Sequence, residues 1–511
     1  MIEQVSLLPG YLTAHLQLTL LALLVSTVVS VPLGIAVTRM RWLEQPVLGL
    51  AGIIQTVPSL ALLAVIVPIL ASLEFQSIGF LPAIIGLTLY GVLPVLRNTV
   101  TGISGIDPLL KEAARSVGMT AHQQLTIVEL PLATPIIVAG VRTATVWIVG
   151  IATLSTPVGA TSLGNYIFSG LQTRNYTAIL VGCVAAAGLA LLLDALIRAL
   201  EIAITRKRRG QFIASLTIIV GLFSYAGFTF AVPLLSNQAR PIVVGSKTFT
   251  EQYILSAAIA RWIEQETDHK TTVLQSLGSI VAFDALAAGQ IDVYVDYSGT
   301  LWANEMGRGG IRAKRSDIVK DVRQFLIDKH GITIAAALGF ENSYTLAVRA
   351  ADAQRLSLRT VSDLDSHAPN LVIGGDYEFF ARPEWSAVQN SYRLTFREQR
   401  MMDSTLMYQA VATGAVDVIS AFSSDGRITA YNLQVLDDNK DAIPPYDALV
   451  LTGTRLSREA PSVLAALRQL DGALDVNLMR NLNLRVDEFG ETPDAVAATF
   501  IEKLSATTLV P

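Results

Sequence analysis

Glu112-Ala113-Ala114-Arg115-Ser116-Val117-Gly118 lies in a polar, helical stretch, residues 107–131, that closes on Val128-Glu129-Leu130-Pro131. Gly118 permits a sharp turn that a side chain would obstruct. Pro131 suits the first turn of a new helix, where its missing N–H costs nothing. On either side the chain is apolar. Runs at about 12–37, 46–72, 79–103, 132–157, 177–204 and 212–235 each reach the roughly 20 apolar residues that a bilayer-spanning helix needs. Pro58 and Pro68 predict a break or kink in the second run, which packed membrane helices tolerate because neighbours re-satisfy the freed carbonyls. No Lys/Arg cluster and no small-residue cleavage site precede the first run, so it reads as a retained span and not as a signal peptide.

Basic residues orient such a set. Arg39 and Arg41 follow the first run, Lys111 and Arg115 the third, and Arg206-Lys207-Arg208-Arg209 the fifth. Six spans place all three clusters on one side, expected to be the cytoplasm. The N-terminus and everything after Leu235 then lie outside. One span more or fewer would put the 206–209 cluster outside, so the count and the charges support each other. The fold expected is an all-α transmembrane domain over 1–211, with the sixth span and a linker over 212–240 tethering an external domain, the short linker itself falling around Ser236–Arg240. The setting is the inner membrane of a cell, with the lipid bilayer as surroundings.

Over the 511 residues, 51% are hydrophobic and 16% charged, too apolar for a soluble protein of this size. The apolar residues crowd before Leu235; from Arg240 charges recur every few positions, as in a soluble α/β domain. A net charge of −4 argues against a nucleic-acid partner. Cys183 is the one cysteine, which excludes internal disulfides and a cysteine metal cluster. No G-x-x-x-x-G-K-[ST] loop occurs, so the chain cannot cradle ATP phosphates in the P-loop manner.

The 107–131 stretch resembles the EAA loop of ABC importer permeases: E-A-A, three residues, glycine, nine residues, isoleucine, one residue, Leu-Pro. Glu112, Ala113, Ala114, Gly118, Leu130 and Pro131 match it, and Val128 stands where isoleucine is usual. The resemblance implies a type I importer permease whose loop forms a short coupling helix docking into a cleft of a cytoplasmic ATPase. Ile54-Gln55-Thr56-Val57-Pro58-Ser59-Leu60-Ala61 and Leu93-Pro94-Val95-Leu96-Arg97-Asn98-Thr99 are similar to the osmoprotectant branch of that family. ATP and Mg then belong to a separate ATPase; this chain is expected to be no enzyme and to hold no cofactor or metal. With one permease domain per chain, the expected assembly is a homodimer with two ATPase copies.

From Ile242 onward, short apolar runs alternate with helical patterns, as in βα units. Gly289-Gln290-Ile291-Asp292-Val293 leads to Tyr297-Ser298, and Gly414-Ala415-Val416-Asp417-Val418 leads to Phe422-Ser423 at the same spacing. Ligands of open α/β sheets sit beyond the carboxyl ends of strands, so two such units present one aromatic each, and facing lobes can close them on one solute.

This half resembles the two-lobed (type II) periplasmic-type binding proteins of the betaine/choline/carnitine class over nearly its whole length. The resemblance rests on Gly245-Ser246-Lys247-Thr248-Phe249-Thr250-Glu251-Gln252, Asp296-Tyr297-Ser298-Gly299-Thr300 and Asn342-Ser343-Tyr344. It continues in Asp376-Tyr377-Glu378-Phe379-Phe380-Ala381-Arg382-Pro383, Ser423-Ser424-Asp425-Gly426-Arg427 and Pro444-Pro445-Tyr446-Asp447. It implies an aromatic box of Tyr297, Tyr344, Phe422 and Tyr446, with phenylalanine where tyrosine is common at 422. It also places Lys247, Thr300 and Arg382 around a carboxylate. Glu251, Asn342 and Glu378 fall in the matched text without assigned roles. A quaternary ammonium has no N–H to donate, but ring faces attract it, each contact contributing about 0.5–2 kcal/mol when desolvated. The expected domain is 241–511, one lobe at about 241–343 and 446–511 and the other at about 347–443, hinged near Tyr344 and Tyr446. The reading is ATP-driven uptake of glycine betaine. Its rivals are an importer of carnitine, choline, proline betaine or ergothioneine, a membrane-anchored sensor without transport, and a membrane-anchored enzyme, for which the external half has no metal-ligand spacing or nucleophile elbow.

Overall fold

The computed structural model describes residues 2–73, 75–173, 175–235, 240–308, 311, 314–376 and 379–508. The linker expected around Ser236–Arg240 lies, but for Arg240, outside the described residues, as does Glu378. Two compact units result: one holds residues up to Gly170 and from Tyr176 through the last apolar helix, the other holds 171–175 and everything from Arg240.

The first unit is helical. Its long members are α1 (Ile2–Arg39), α2 (Arg41–Thr56), α3 (Ser59–Ser72), α4 (Phe80–Ser104), the short α5 (Pro108–Ser116), α6 (Leu130–Ala152), α7 (Tyr176–Thr205) and α8 (Arg209–Leu235). Five of these are long and apolar enough to cross a membrane, and α2 and α3 reach that length and apolarity only as a pair, bent by 101°. The break falls at Val57-Pro58, where the chain turns extended; the residue before a proline is pushed out of helical conformation. Small residues let the axes approach. Gly34 of α1 meets Thr99 of α4, and Gly140 of α6 meets Asn98 and the Pro94 carbonyl. Ser26 and Ser30 of α1 donate to the Thr88 and Val92 carbonyls of α4 at 3.0 and 3.1 Å. These contacts keep α1 and α4 in parallel register, whereas Gly102 against Ala133 and Gly140 against Asn98 make α6 antiparallel to α4. The bent pair must therefore return the chain along the bundle between α1 and α4.

Asp107 caps α5 by accepting from Leu109 N at 2.9 Å, and Lys111 donates to the last-turn carbonyl of Ile103 at 2.9 Å. Gly118 has φ +83°. Its N–H reaches the Arg115 carbonyl and that of Met119 reaches Ala114, the paired bonds of a Schellman helix end. At the far end of the loop, fully buried Glu129 pairs with Arg39 of α1 and accepts from Gln124 Nε2 at 2.9 Å.

The second unit contains two five-stranded sheets of the same design. One runs β2-β1-β3-β10-β4 and the other β7-β6-β8-β5-β9, with β1 (Ile242–Lys247), β2 (Thr271–Leu277), β3 (Val293–Tyr297), β4 (Thr333–Glu341), β5 (Tyr344–Arg349), β6 (Val372–Gly375), β7 (Glu398–Met401), β8 (Val418–Phe422), β9 (Leu433–Leu436) and β10 (Asp447–Thr452). In each sheet four strands run the same way, and one inserted strand, β10 or β5, runs antiparallel to both its neighbours. The chain leaves the first sheet after β4 and returns at β10, and the two crossings touch where Asn342 N donates to the Tyr446 carbonyl at 3.0 Å.

The repeated glycine-to-aspartate segments occupy equivalent places, leading into β3 and β8. Gly289 and Gly414 have φ +67° and +78°, which explains glycine at both helix ends. Asp292 accepts from Val243 N at 2.8 Å and from Arg455; Asp417 accepts from Val372 N at 2.9 Å and from Arg349. Each aspartate ties a central strand to its neighbour, and Tyr297 and Phe422 end up at the carboxyl ends of the corresponding strands.

Candidate ligand site

Three of the four expected box residues meet. Tyr344 begins β5 directly opposite Phe422 at the end of β8, with ring centroids 5.1 Å apart. Tyr446, on the returning crossing, stands edge-on to Tyr344 at 6.1 Å. Phe379, quoted in the matched text but given no role, adds a fourth ring 5.2 Å from Tyr344. Tyr446 is buried and packs on Gly299, where a Cβ would come within 2.7 Å of its ring. Its hydroxyl donates to Glu384 Oε1. Burial pushes the Tyr446 phenol well above its ordinary value, and the Glu384 charge adds to that.

Tyr297 is placed differently. Its ring stacks on Phe249 at 6.2 Å, and no ring contact among the described residues joins it to the other three. Its hydroxyl donates to Glu251 Oε1 at 2.5 Å and accepts from Gln252 Nε2 at 3.2 Å. Glu251, in the first turn of α9 (Thr250–Glu266), is 2% exposed and collects three further donors. They are Ser424 Oγ at 2.5 Å, Asn342 Nδ2 at 3.1 Å and Asn483 Nδ2 at 3.2 Å. Burial raises the Glu251 carboxyl, and the hydrogen bonds from Ser424, Tyr297, Asn483 and Asn342 pull it part of the way back. One carboxylate thus ties the β3 end, the outgoing crossing, the segment after β8 and a C-terminal helix.

The cations expected around a carboxylate are each beside an acid. Lys247 Nζ donates to Asp296 Oδ1 at 2.5 Å, and Asp296 also accepts from Tyr294 Oη and Tyr297 N. The Arg382 guanidinium lies 5.3 Å from the Tyr344 ring centre and 3.7 Å from Glu384 Oε1. Thr300 is buried in the turn that follows Tyr297. No contact among the described residues joins Lys247, Thr300 and Arg382. What the geometry does provide is a cluster of ring faces, one of which already has a cation over it, in an environment rich in buried carboxylates.

On the helical unit, Ala114 is buried while Glu112, Ala113 and Gly118 are exposed. Leu109, Val117 and Ile127 also leave apolar side chains in the open. Leu130 and Pro131 start α6, with Pro131 in its first turn. Neither Glu251 nor Glu384 received a role from the sequence, because an acid in the first turn of a helix ordinarily answers the helix dipole.

Residues 240–503 match the substrate-binding domain of ABC-type glycine betaine transport systems. Residues 30–209 match the binding-protein-dependent transport system inner membrane component. The ergothioneine transport permease/ergothioneine binding protein EgtU of Helicobacter pylori (strain G27) is 28% identical over 472 residues, 89% of this chain and 83% of that protein. The glycine betaine/carnitine/choline transport system permease protein OpuCB of Bacillus subtilis (strain 168) is 43% identical over 193 residues, 38% of this chain and 86% of that protein. A solved structure described as a glycine betaine/carnitine/choline ABC transporter is 30% identical, covering 51% of this chain and 98% of that one, with a TM-score of 0.48. The chain belongs to the family of substrate-binding domains of ABC-type glycine betaine transport systems, and it carries that domain fused to an importer permease.

Proposed function

We propose that this chain imports a betaine-type solute, a quaternary ammonium compound carrying a carboxylate, in an ATP-driven cycle. Glycine betaine is the smallest solute of that class. The observation that carries the reading is the cluster of Tyr344, Phe422 and Tyr446 with a guanidinium over the Tyr344 face. Ring faces hold a cation that sheds water and cannot be hydrogen-bonded. In this reading the two lobes close on the solute outside the cell, and Tyr297 joins the box on closure. Lys247, Thr300 and Arg382 turn toward the carboxylate, Arg382 offering a planar fork. The receptor docks on a homodimer of its own permease, and fusion raises its local concentration at the gate. Two copies of an ATPase, holding ATP and Mg, engage Glu112–Pro131, where Leu109, Val117 and Ile127 supply exposed apolar area.

A binding panel on the full chain in lipid nanodiscs tests the solute: glycine betaine, choline, carnitine, proline betaine and ergothioneine. Binding of none of them would sink the reading. Ergothioneine has a specific observation in its favour, since the relative aligned over 89% of this chain is an ergothioneine transporter and binding protein. Reconstitution with a partner ATPase separates transport from sensing: solute accumulation in vesicles is expected, and ATPase activity unaffected by solute would refute import.

A further inference from the structure

Glu384 has chemistry that a trimethylammonium and a carboxylate leave unused. It sits in the first turn of α10 (Pro383–Tyr392) at 1% exposure. Oε1 takes the Tyr446 hydroxyl and faces Arg382. Oε2 is buried with no hydrogen-bond partner among the described residues. Beside the same ring cluster, Asn342 donates its amide N–H to Glu251 while its own Oδ1 is buried and unpartnered. Asn342 lies two residues before Tyr344, and its backbone N–H is bonded to Tyr446, so both acceptors border the box. Buried acceptors are rarely left unpaired, so each of these oxygens can take a donor from a bound solute. A quaternary ammonium has no N–H, and a carboxylate is itself an acceptor. Neither end of glycine betaine can satisfy them.

We propose that the solute is a betaine that also carries an N–H donor, as on an azole ring, and that Glu384 Oε2 receives it. Glu384 is then the specificity-determining residue of the site. This rests on the betaine-type reading above. A site built around a buried acceptor rejects an analogue that lacks the donor far more strongly than a hydrophobic pocket rejects a missing methylene.

Calorimetry on the full chain in nanodiscs, with glycine betaine, ergothioneine (a trimethylated amino acid whose ring bears N–H) and trimethylated phenylalanine (a ring of similar size without N–H), tests this. Wild type should bind ergothioneine on the order of 10⁴-fold more tightly than trimethylated phenylalanine. Glu384→Leu, which removes both carboxylate oxygens, should erase most of that ratio, costing ergothioneine more affinity than glycine betaine. Equal wild-type affinity for the two ring-bearing probes overturns the proposal without any variant being needed. Equal losses for glycine betaine and ergothioneine in Glu384→Leu overturn it too, since the carboxylate would then act only as counter-charge to the ammonium. If none of the three binds wild type, the betaine-type reading falls and takes the proposal with it.

Discussion

Replacing Glu251 with alanine should loosen the second lobe from the first. Four donors converge on this carboxylate: Tyr297 and Ser424 at 2.5 Å, Asn342 at 3.1 Å and Asn483 at 3.2 Å. Each hydrogen bond to a charged group contributes about 1.5–3 kcal/mol. Their sum overstates the loss, because the variant no longer desolvates a buried charge. What remains is the cost of the donors left without an acceptor, about 1–3 kcal/mol for each that water cannot reach, or about 3–5 kcal/mol for the group. At about 1.4 kcal/mol per factor of ten, local opening becomes about 100- to 4,000-fold more frequent. The loss is expected in two places: the segment 423–430, which Ser424 anchors, and the helix α11 (Val476–Asp487), which presents Asn483. Hydrogen–deuterium exchange of the full chain in nanodiscs reads both, with strand β2, which contributes no donor to Glu251, as internal control. Glu251→Gln keeps one acceptor oxygen and should fall between. Protection of 423–430 in the alanine variant within about threefold of wild type would refute the idea that this carboxylate fastens the lobes.

Tyr344→Ala should weaken quaternary ammonium binding about 10- to 30-fold, one desolvated cation–π contact plus lost packing, while Tyr344→Phe keeps the ring face and most of the affinity; calorimetry showing equal losses would remove the ring from the box. Arg382→Ala should weaken betaine more than choline, which has no carboxylate, and equal losses would make Arg382 structural. Burial pushes the Asp487 carboxyl up to about 7, against the pull of Arg427 and with a push from Asp425, and burial also raises Glu251. A carboxyl raised on folding contributes stability that is full below its ordinary range and lost as pH rises through the folded value. The melting temperature of the binding unit should therefore fall between about pH 4 and 7, more shallowly in Asp487→Asn; a rise over that interval would contradict the sign.

Features set by local backbone demands could be read from sequence. Gly118 closes a Schellman turn, and Gly289 and Gly414 end helices before matched strands. The repeat pointed at Tyr297 and Phe422, and these do terminate equivalent strands. The text around Ser423–Arg427 acquires a reason in the structure: a Cβ on Gly426 would sit 2.6 Å from Leu484 N and 2.7 Å from the Arg480 carbonyl. Pairings across long separations could not be read. Lys247 looks like an available cation until Asp296 is placed beside it, 49 positions away. Glu251 finds Asn483 across 232 positions. Nothing in the periodicity of either segment encodes such a meeting, and a first-turn glutamate reads as an answer to the helix dipole. The separation of Tyr297 from the other rings is of the same kind, since its angle is set by Glu251 and not by its own strand.

The span count shows how charge and packing constrain each other. Length and apolarity alone leave five crossings or six, because α2 and α3 are each too short and meet at 101°. The serine ladder from α1 to α4 removes the choice: Ser26 on Thr88 and Ser30 on Val92 hold the two helices parallel. Parallel neighbours in sequence need a return path, so the bent pair must traverse the bundle. Arg39 and Lys111 then fall at one end, where Glu129 joins α1 to the loop directly through its pair with Arg39. With α6 antiparallel to α4, and α7 antiparallel to α6 because Arg142 bonds Glu201 while Val149, two turns further on, clusters with Leu193, Arg206–Arg209 return to that same end. Arg39 therefore serves twice. Its charge joins the basic cluster at that end, and its side chain fastens the loop ending at Pro131 to the first helix.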